Sequence, residues 1–565
     1  MTRRAVTRLA AAACAATLGA GVLTLASSQA AAADQTYWVP VTGSLTIDGH
    51  GFGHGHGMSQ YGAQGAALDL LRYRDILAFY YPKTTLSQAK GRIRVLLSVD
   101  TTSDVKVSPA KGLSVRDLGT RKTFTLPTPA DIDRWRLVSN PDNDTVVQLH
   151  RTGKWKRYRL LQGDGEFVAD RPIRLWVPSG DSEAAITYRG RLRSASPYSG
   201  APFRDTVNVL GLDDYVRGVI PAEMPTSWRP AALRAQAVAA RTYAAYERAL
   251  SRDRYYQICD TTFCQVYAGR SVEATSSNQA VDATAHEILR YAKKPALTQF
   301  SSSSGGWTSD GGLPYLPAQR DPYDDWSGNV EHNWQATISV SALESLFSQL
   351  GKLQAIRVTQ RDGDGAWGGR VIQLVLVGKD ARVLMSGDDF RSTFDLRSSW
   401  FSIAPTPIIA RWNRIGGAKS VLGKVRSAEF GVGQDGSAQR FEHGRIYWSP
   451  RTPARELYGE ILARYRKLDG PDSVLGYPVS ATRKAHDGGR RTVFQRGKIF
   501  WSKPFGAREV YGKILAKYED LGQGAGQLGF PRTGVFSVEA GKRVKFEHGS
   551  LTYLRATGKV VVNLH

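Results

Sequence analysis

Hydrophobic and polar residues alternate in short runs over a long stretch of the N-terminal half of the chain. Between Arg92 and about Val209, Gly, Pro and Asp residues separate these runs. Alternation with a period of two is typical of strands that bury one face. The pattern therefore predicts strands at IRVLLSV, DVKVS, KTFTL, TVVQLH, KWKRYRL, PIRLWVP and TVNVL.

Helical spacing appears on both sides of this stretch. Apolar residues recur every three to four positions from Met58 to Leu68, and RYRDILAFYYP predicts a second helix that ends at Pro82. After the strands, the Ala-rich run LRAQAVAARTYA predicts a longer helix, with Pro230 near its start and Ser227 as its cap. We expect residues 34–404 to form one large α+β body with a β-rich subdomain at about 100–200.

Beyond a segment with the composition of a linker, placed at 405–411, the chain repeats itself. Leu422-Gly-Lys-Val425, Leu475-Gly-Tyr-Pro478 and Leu528-Gly-Phe-Pro531 lie 53 residues apart. Fixed periods of this length predict stacked units, so residues 412–565 should form three units of about 53 residues. We expect most aromatic residues at the repeated positions to lie in the core: Tyr447, Trp448, Phe500, Trp501 and Tyr553.

The first 33 residues have the pattern of a secretory signal peptide. Three arginines precede an apolar run from Leu9 to Leu25, and small residues follow, with cleavage expected after Ala30 or Ala33. The run is too short for a membrane span, and no later segment approaches 18 apolar residues. We therefore expect a secreted, cell-wall-associated protein with no membrane span, exported by the Sec or the Tat route.

The chain is strongly basic, with a net charge of +24 that becomes +21 without the three signal-peptide arginines. Basic proteins attract polyanions. Export and the lack of a recognised nucleic-acid motif argue against nucleic acid and favour anionic cell-wall polymers, while simple solubility explains the charge equally well.

Two cysteines follow the signal peptide, Cys259 and Cys264 in ICDTTFCQVY. In an exported protein this spacing favours a disulfide. Zinc is the competing interpretation, with His54 and His56 as the second pair of ligands, and free thiols are a third. We expect a disulfide and no cofactor.

Glu223 lies between Ala222 and Met224, in a Pro-bounded segment that we expect to be a rigid apolar turn backed by the Ala-rich helix. An apolar setting raises the pKa of a glutamate toward neutrality and suits it to general acid catalysis. Asp213 and Asp214 are the nearest acids along the chain, and we expect both to cap the following turn.

Four motifs of the body together resemble the SpoIID/LytB family, whose members act on the cell wall and whose sporulation members are lytic transglycosylases. They are GFGHGHGMSQYGAQGAA, LDDYVRGVIPAEMP with LRAQAVAARTYA, CDTTFCQVYAG, and SSSSGGWT with PYL and RDP downstream. In the sporulation members the Gly/His loop ends the domain, whereas here it begins it. The C-terminal units resemble the LGFP repeat of exported wall-associated actinobacterial proteins, which implies attachment to the envelope.

The resemblance implies that Glu223 is the catalytic acid. One carboxyl group suffices for a lytic transglycosylase, because the C6 hydroxyl of N-acetylmuramic acid serves as the nucleophile. Gln236 and Arg241, which match the family's AQAVAARTYA, are expected to bind or position the substrate.

Further residues of these motifs are expected to line the same groove. Gln265 and Tyr267 follow the disulfide, and the Ser/Gly loop offers exposed hydroxyls and amides suited to sugar hydroxyls or a developing oxyanion. His54 and His56 are expected to pack the loop or to contact the substrate. The substrate-binding residues expected from the sequence are Gln236, Arg241, Gln265, Tyr267, Ser303, Gly305, Gly306, His54 and His56.

The sequence thus favours an exported peptidoglycan lytic transglycosylase that cleaves N-acetylmuramic acid–N-acetylglucosamine linkages. A non-catalytic wall-binding protein that enhances or recruits an amidase is the alternative, and a zinc hydrolase is a third.

Overall fold

The computed structural model describes residues 31–41 and 43–565, a mixture of helices and strands. Residues 1–30 of the predicted signal peptide lie outside this range. The first elements are β1 (Ala31–Trp38), β2 (Ser44–His50), β3 (Met58–Ser59), α1 (Gln60–Leu68), α2 (Tyr73–Tyr80) and β4 (Thr85–Gln88). Both predicted N-terminal helices are confirmed.

The next part of the chain contains only strands and the turns between them, from Arg92 to Gly211. These strands are β5 (Arg92–Leu96), β6 (Val105–Val107), β7 (Ser114–Asp117), β8 (Thr123–Thr125), β9 (Ile132–Ser139), β10 (Thr145–Arg151), β11 (Lys154–Leu161), β12 (Gly165–Val168), β13 (Ile173–Ser179), β14 (Ser182–Tyr188), β15 (Arg191–Ala195) and β16 (Asp205–Gly211). All seven predicted runs contain a strand.

Two helices follow and hold the candidate chemistry. The elements in this part are α3 (Leu212–Glu223), α4 (Pro230–Leu250), β17 (Ile258–Cys259), α5 (Thr275–Ala283), β18 (Glu287–Tyr291), β19 (Lys294–Pro295), β20 (Phe300–Ser301), β21 (Trp307–Thr308) and β22 (Gln319–Arg320). Pro230 is the first residue of α4, as predicted, but Arg229 and not Ser227 is the N-cap residue, and no side chain caps the helix.

The β-rich part forms two sheets that share one core with these helices. One sheet has the order β17-β5-β16-β15-β12-β7-β8 and the other the order β11-β10-β9-β6-β13-β14. The end of β16 leads directly into α3, so the sheet fixes the start of the helix that ends at Glu223.

The last part of the body closes against the N-terminal strands. Its elements are β23 (Asn333–Ser339), α6 (Val340–Leu346), β24 (Leu353–Arg361), β25 (Val371–Gly378), β26 (Arg382–Ser386), α7 (Gly387–Thr393) and β27 (Phe401–Ile403). β1 pairs with β24, and β2 pairs with both β23 and β27. The N-terminal strands therefore lie beside the C-terminal end of the body.

The Gly/His loop between β2 and β3 lies against residues that come much later in the chain. Phe52 pairs with Ser303, His56 pairs with Ser309, and β3 runs parallel to β20. Gly57 has a φ of +68° and faces the carbonyl oxygen of Gln299, so a side chain there would overlap the backbone. This packing explains how the loop can begin the domain and still contact its end.

The C-terminal part contains three similar four-stranded sheets, each preceded by a helix. The elements are α8 (Pro407–Arg414), β28 (Phe430–Val432), β29 (Gly436–Phe441), β30 (Gly444–Ser449), β31 (Thr452–Tyr458), α9 (Gly459–Lys467), β32 (Arg483–Lys484), β33 (Arg490–Phe494), β34 (Gly497–Ser502), β35 (Gly506–Tyr511), α10 (Gly512–Asp520), β36 (Phe536–Val538), β37 (Gly541–Phe546), β38 (Gly549–Leu554) and β39 (Val560–Leu564).

Two details of the repeats differ from the sequence-based expectations. The predicted linker at 405–411 is largely helical, because α8 starts at Pro407 and Thr406 caps it. Tyr447 and Phe500 are buried as expected, but the aromatic residue that follows each of them is only half-buried, and so is its third-repeat counterpart: Trp448, Trp501 and Tyr553.

Candidate active site

Glu223 is the last residue of α3 and does not lie in a turn before a helix, as the sequence had suggested. Met224 has extended backbone angles, and Pro225 disfavours a helical conformation for the residue before it, so the helix ends here. The Glu223 side chain is half-buried, and its Oε1 accepts a hydrogen bond of 2.8 Å from the backbone N–H of Val266.

Burial raises the pKa of the Glu223 carboxyl, and the N–H of Val266 and the side chain of Gln60 act in the opposite direction. A raised pKa keeps a larger fraction of the carboxyl protonated near neutral pH, which is the form that a general acid needs. No other carboxylate is among the groups that set this pKa.

The loop that carries Val266 is held by the predicted disulfide. Cys259 and Cys264 are bonded to each other, with Cα atoms 5.5 Å apart. Their sulfur atoms are therefore not free to act as the thiolates that a zinc site would use. Asp260 also fixes the loop by accepting hydrogen bonds from the N–H and the hydroxyl of Ser98.

Gln265 and Tyr267 are both buried in this loop and differ in their bonding. Tyr267 donates to Asn208 Oδ1 at 2.7 Å and packs in the core, so its predicted place in a groove wall is wrong. Gln265 accepts a hydrogen bond from the Tyr215 hydroxyl at 3.2 Å, and its Nε2 has no partner in the described part of the chain. Its neighbour Val266 binds Glu223, which keeps Gln265 beside the candidate site.

Gln60 is a residue that the sequence analysis did not single out. It begins α1 directly after the Gly/His loop and lies 163 positions from Glu223, whose carboxyl its side chain faces. Its Nε2 is buried and forms no hydrogen bond of normal geometry within residues 31–41 and 43–565, but the side chain is close enough to Glu223 to lower the pKa of that carboxyl. The signal was present in the Met-Ser-Gln of the motif, but only tertiary structure shows that this amide faces Glu223.

Gln236 is fully buried on α4, so the predicted exposed sugar-binding stripe is not present at this position. Neither its Nε2 nor its Oε1 has a hydrogen-bond partner among the described residues. The helix that carries it packs against both α1 and α3. An unpaired buried amide lowers the stability of the fold.

Arg241 is not a substrate-binding residue in this structure. Its guanidinium is fully buried, pairs with Asp213 at 2.6 Å and donates to the carbonyl oxygen of Glu287 at 3.1 Å. The prediction failed because a buried ion pair and a groove-facing cation give the same pattern on an Ala-rich helix. Asp213 is correspondingly not a cap, since Gly211 is the N-cap residue of α3 and Asp213 and Asp214 lie in the first turn.

The predicted cleft wall at the Ser/Gly loop is also wrong, because the loop is buried. Ser303 is fully buried, and its hydroxyl donates to Asp324 Oδ2 at 2.8 Å. The backbone N–H of Gly305 donates to the same oxygen at 3.0 Å, and that of Gly306 donates to the Ser304 hydroxyl. These hydroxyls and amides satisfy an internal carboxylate and are not available to a sugar.

Two buried aspartates organise this loop. Burial and the neighbouring Asp324 raise the pKa of Asp321 to about 7. Although burial opposes it, hydrogen bonds from His332, Ser59 and Ser303 lower the pKa of Asp324. The Ser304 hydroxyl and backbone N–H bond to Asp321 and Asp324 respectively. The cluster is an internal network that ties α1 to the Ser/Gly loop.

His54 and His56 line a different cavity, a groove of about 430 Å³ that also contains Arg370 and Asp388. His54 Nδ1 accepts a hydrogen bond from the backbone N–H of His56 at 2.9 Å. Burial and the nearby His56 lower the pKa of His54 to about 3, so its ring is neutral. These contacts support loop packing for His54, and neither histidine is among the groups that bond to Glu223.

Within the described residues, no group of three or more His, Cys, Asp or Glu side chains is arranged to hold a metal ion. In the same part of the chain, no helix combines the length and the apolar character needed to cross a membrane.

Comparison with known families gives matches in both parts of the chain. Residues 204–291 match the model of the stage II sporulation protein family, and residues 422–473 and 475–526 match the LGFP repeat. The first match contains Glu223.

Three curated relatives match parts of the chain. An uncharacterised protein of Brachyspira hyodysenteriae is 38% identical over 186 residues, which cover 28% of this chain and 50% of that protein. The amidase enhancer of Bacillus subtilis is 36% identical over 143 residues, 24% of this chain and 19% of that protein. The stage II sporulation protein D of Bacillus amyloliquefaciens is 29% identical over 276 residues, 44% of this chain and 75% of that protein. The match thus spans half or less of the first two relatives.

Proposed function

The chain contains a stage II sporulation protein domain and LGFP repeats, and from this premise we propose that it is a peptidoglycan lytic transglycosylase. Its substrate would be the N-acetylmuramic acid–N-acetylglucosamine linkage of glycan strands. The observation that carries the proposal is the half-buried carboxyl of Glu223, whose pKa is raised by burial and is influenced by no other carboxylate among the described residues.

The geometry of α3 supports a one-carboxylate mechanism. Glycosidases that use two carboxylates hold them about 5–9.5 Å apart. Asp213 lies ten residues before Glu223 on the same helix, which places the two backbones about 15 Å apart along the axis. The Asp213 carboxylate also forms an ion pair with Arg241. The acids that are nearest in sequence therefore do not supply the second group.

In the proposed reaction, protonated Glu223 donates its proton to the glycosidic oxygen as the bond to the muramyl C1 breaks. The resulting carboxylate then removes the proton of the C6 hydroxyl of the same sugar, and that oxygen bonds to C1. The product is a 1,6-anhydromuramyl end, and Glu223 is returned to its protonated form. No water and no metal ion enters this sequence.

The N-terminal 33 residues would direct export, and the repeats would attach the enzyme to the cell envelope. The match to LGFP repeats and the net charge of +24 support attachment, because an anionic wall attracts a basic protein. The protein would then act as a secreted, wall-associated enzyme.

The test compares the wild-type protein with Glu223→Gln on purified glycan strands, intact and stripped of peptides. Glu247→Gln is a matched control, because Glu247 lies on neighbouring α4 and burial also raises the pKa of its carboxyl. Mass spectrometry should find anhydromuramyl products with wild type and with Glu247→Gln, and at least about 100-fold less with folded Glu223→Gln.

A second candidate function is a non-catalytic wall protein that enhances or recruits an amidase. The similarity to the amidase enhancer favours it. Under this alternative, wild type and Glu223→Gln would both bind glycan, give no anhydromuramyl product and stimulate an added wall amidase equally. Products with ordinary reducing ends would instead indicate a hydrolase with a second carboxylate.

A further inference from the structure

The third C-terminal unit has a cleft between the start of its helix and the half-buried Tyr553 of its third strand. This cleft has a volume of about 250 Å³. We call it the third-repeat cleft, and it is lined mainly by Tyr511, Lys513, Ile514, Val535, Lys542 and Tyr553. The volume is at the small end for ligand pockets and suits one sugar residue of a longer polymer.

The third-repeat cleft combines two aromatic rings with two ammonium groups. Lys513 Nζ lies 5.6 Å from the centre of the Tyr553 ring, and Lys542 Nζ lies 5.2 Å from that of Tyr511. Neither lysine forms an ion pair with a carboxylate in the described part of the chain. Lys513 Nζ also donates a hydrogen bond of 3.0 Å to the carbonyl oxygen of Gly558. Both ammonium groups thus lie beside aromatic faces without a carboxylate to neutralise them, and an anion would supply the counter-charge.

The equivalent positions of the other two units carry different charges. In the first, the carboxyl of Glu429 accepts a hydrogen bond of 3.0 Å from Ser437, beside Trp448. In the second, Glu460 occupies the position of Lys513, and Arg490 lies 5.3 Å from the Trp501 ring. The third unit thus differs from the other two because it has two lysines and no acidic residue at these positions.

The surrounding charge has the same sign. Residues 412–565 contain 27 Lys and Arg against 13 Asp and Glu, a net charge of +14 out of +24 for the whole chain. A field of this sign concentrates polyanions near the repeats and increases their rate of association.

We propose that the third-repeat cleft binds one residue of an anionic polysaccharide. The pyranose ring would lie against Tyr511 and Tyr553, and its carboxylate or phosphate would bridge Lys513 and Lys542. This site goes beyond the proposed glycan cleavage and does not depend on Glu223. It would hold the enzyme on the wall by a polymer other than the strand that it cuts.

Binding is measured by calorimetry with the full-length Glu223→Gln protein, so that the result is independent of cleavage. The probes are hyaluronate, whose acid is a carboxylate, poly(glycerol phosphate), whose acid is a phosphodiester, and neutral dextran. We expect binding to at least one of the two polyanions and none to dextran. The polyanion that binds more tightly shows whether the cleft prefers a carboxylate or a phosphodiester.

Lys513→Glu/Lys542→Glu should weaken binding at least about tenfold, and Tyr553→Ala should weaken it without any change of charge. Lys503→Glu/Lys545→Glu is the matched control: it changes two exposed lysines outside the cleft and should weaken binding less than about threefold. Thermal melting confirms that each variant is folded.

Three results would overturn the proposal. Equal losses in the two double variants would mean diffuse attraction without a site. Unchanged binding in Lys513→Glu/Lys542→Glu would place the site elsewhere. Tighter binding of poly(dT) than of both polyanions, lost in the same variant, would make the cleft a nucleic-acid site.

Discussion

The chemistry proposed for Glu223 depends on a balance between burial and two nearby donors. Burial raises the pKa of the carboxyl, whereas the N–H of Val266 and the amide of Gln60 favour the ionised form. The same donors would stabilise the carboxylate after its proton has left. A general acid that later acts as a base needs both forms within reach at the working pH.

Gln60→Ala removes one of the groups that lower this pKa. The pKa of Glu223 should therefore rise further. Activity that needs protonated Glu223 is lost as pH rises through this pKa, so the alkaline limb of the kcat profile should move to higher pH. The pH dependence of anhydromuramyl formation measures this shift.

Gln64→Ala is the matched control for Gln60. Gln64 lies one turn further along α1 and accepts a hydrogen bond from the backbone N–H of Arg229, away from the carboxyl. Its loss should leave the alkaline limb in place. An unmoved limb in Gln60→Ala, or an equal shift in both variants, would contradict the role given to Gln60.

The sequence singled out Glu223 as the candidate acid, but most of the residues that it predicted to bind the substrate are in other positions in the structure. Arg241, Ser303 and Tyr267 bond to Asp213, Asp324 and Asn208, which are 28, 21 and 59 residues away. A polar side chain in an apolar segment has the same local pattern whether it faces a ligand or a distant internal partner. Only the disulfide, whose two residues are five apart, was within the reach of local reasoning.

At the scale of elements, α3 and α4 are joined by the buried pair of Asp213 and Arg241. The guanidinium is fully buried, and 22% of the Asp213 side chain is exposed. This ion pair holds the first turn of α3 against α4. It therefore helps to set the position of Glu223 at the other end of α3.

Asp213→Ala leaves the buried guanidinium without its counter-charge, and should lower the free energy of unfolding by about 3 kcal/mol. Asp213→Ala/Arg241→Leu should recover part of this loss, because no buried charge remains unpaired. Urea unfolding measures both. An Arg241→Leu variant with unchanged stability and a raised KM would contradict this structural role and would show that Arg241 binds the substrate.

Periodicity predicted some helices and some strands. The pattern predicted α1, α2 and α4 and seven of the strands between Arg92 and Gly211, but it missed α3, β7, β9, β12, β14 and β15. In β9, Trp135 and Leu137 are buried with Arg136 between them, but the consecutive polar residues Asp133 and Arg134 interrupt the alternation at the start of the strand. The α8 helix was missed because its prolines and small residues resemble a linker, although Pro407 stands at the helix start.

At the scale of the molecule, the body and the repeats have separate hydrophobic cores. One large cluster joins the β-rich sheets to α1–α4, and a second lies between the N-terminal strands and β23–β27. The repeats have three further clusters, centred on residues such as Leu422, Leu475 and Leu528. Among the residues that the structure describes, no buried residue belongs to both a body cluster and a repeat cluster.

Separate cores predict separate unfolding. Calorimetry of the full-length protein should show at least two transitions, since the two parts share little buried apolar surface. A single transition with equal calorimetric and van't Hoff enthalpies would show that the body and the repeats unfold as one unit.

The repeats could be predicted from sequence because their period is explicit, and the structure has three four-stranded sheets at the expected places. The contact of the Gly/His loop with residues 299–309 could not be predicted from the sequence. No pattern within either segment indicates that two segments about 250 residues apart lie against each other. The parallel pairing of β3 with β20 is part of that contact.

The central claim is that one carboxyl, Glu223, cuts glycan strands. Mass spectrometry of intact and peptide-stripped strands treated with wild type, Glu223→Gln and Glu247→Gln tests it most directly. Catalysis by Glu223 predicts 1,6-anhydromuramyl ends with wild type and Glu247→Gln, and their loss with folded Glu223→Gln. Equal anhydromuramyl product with wild type and Glu223→Gln, or none with wild type on either substrate, would contradict it.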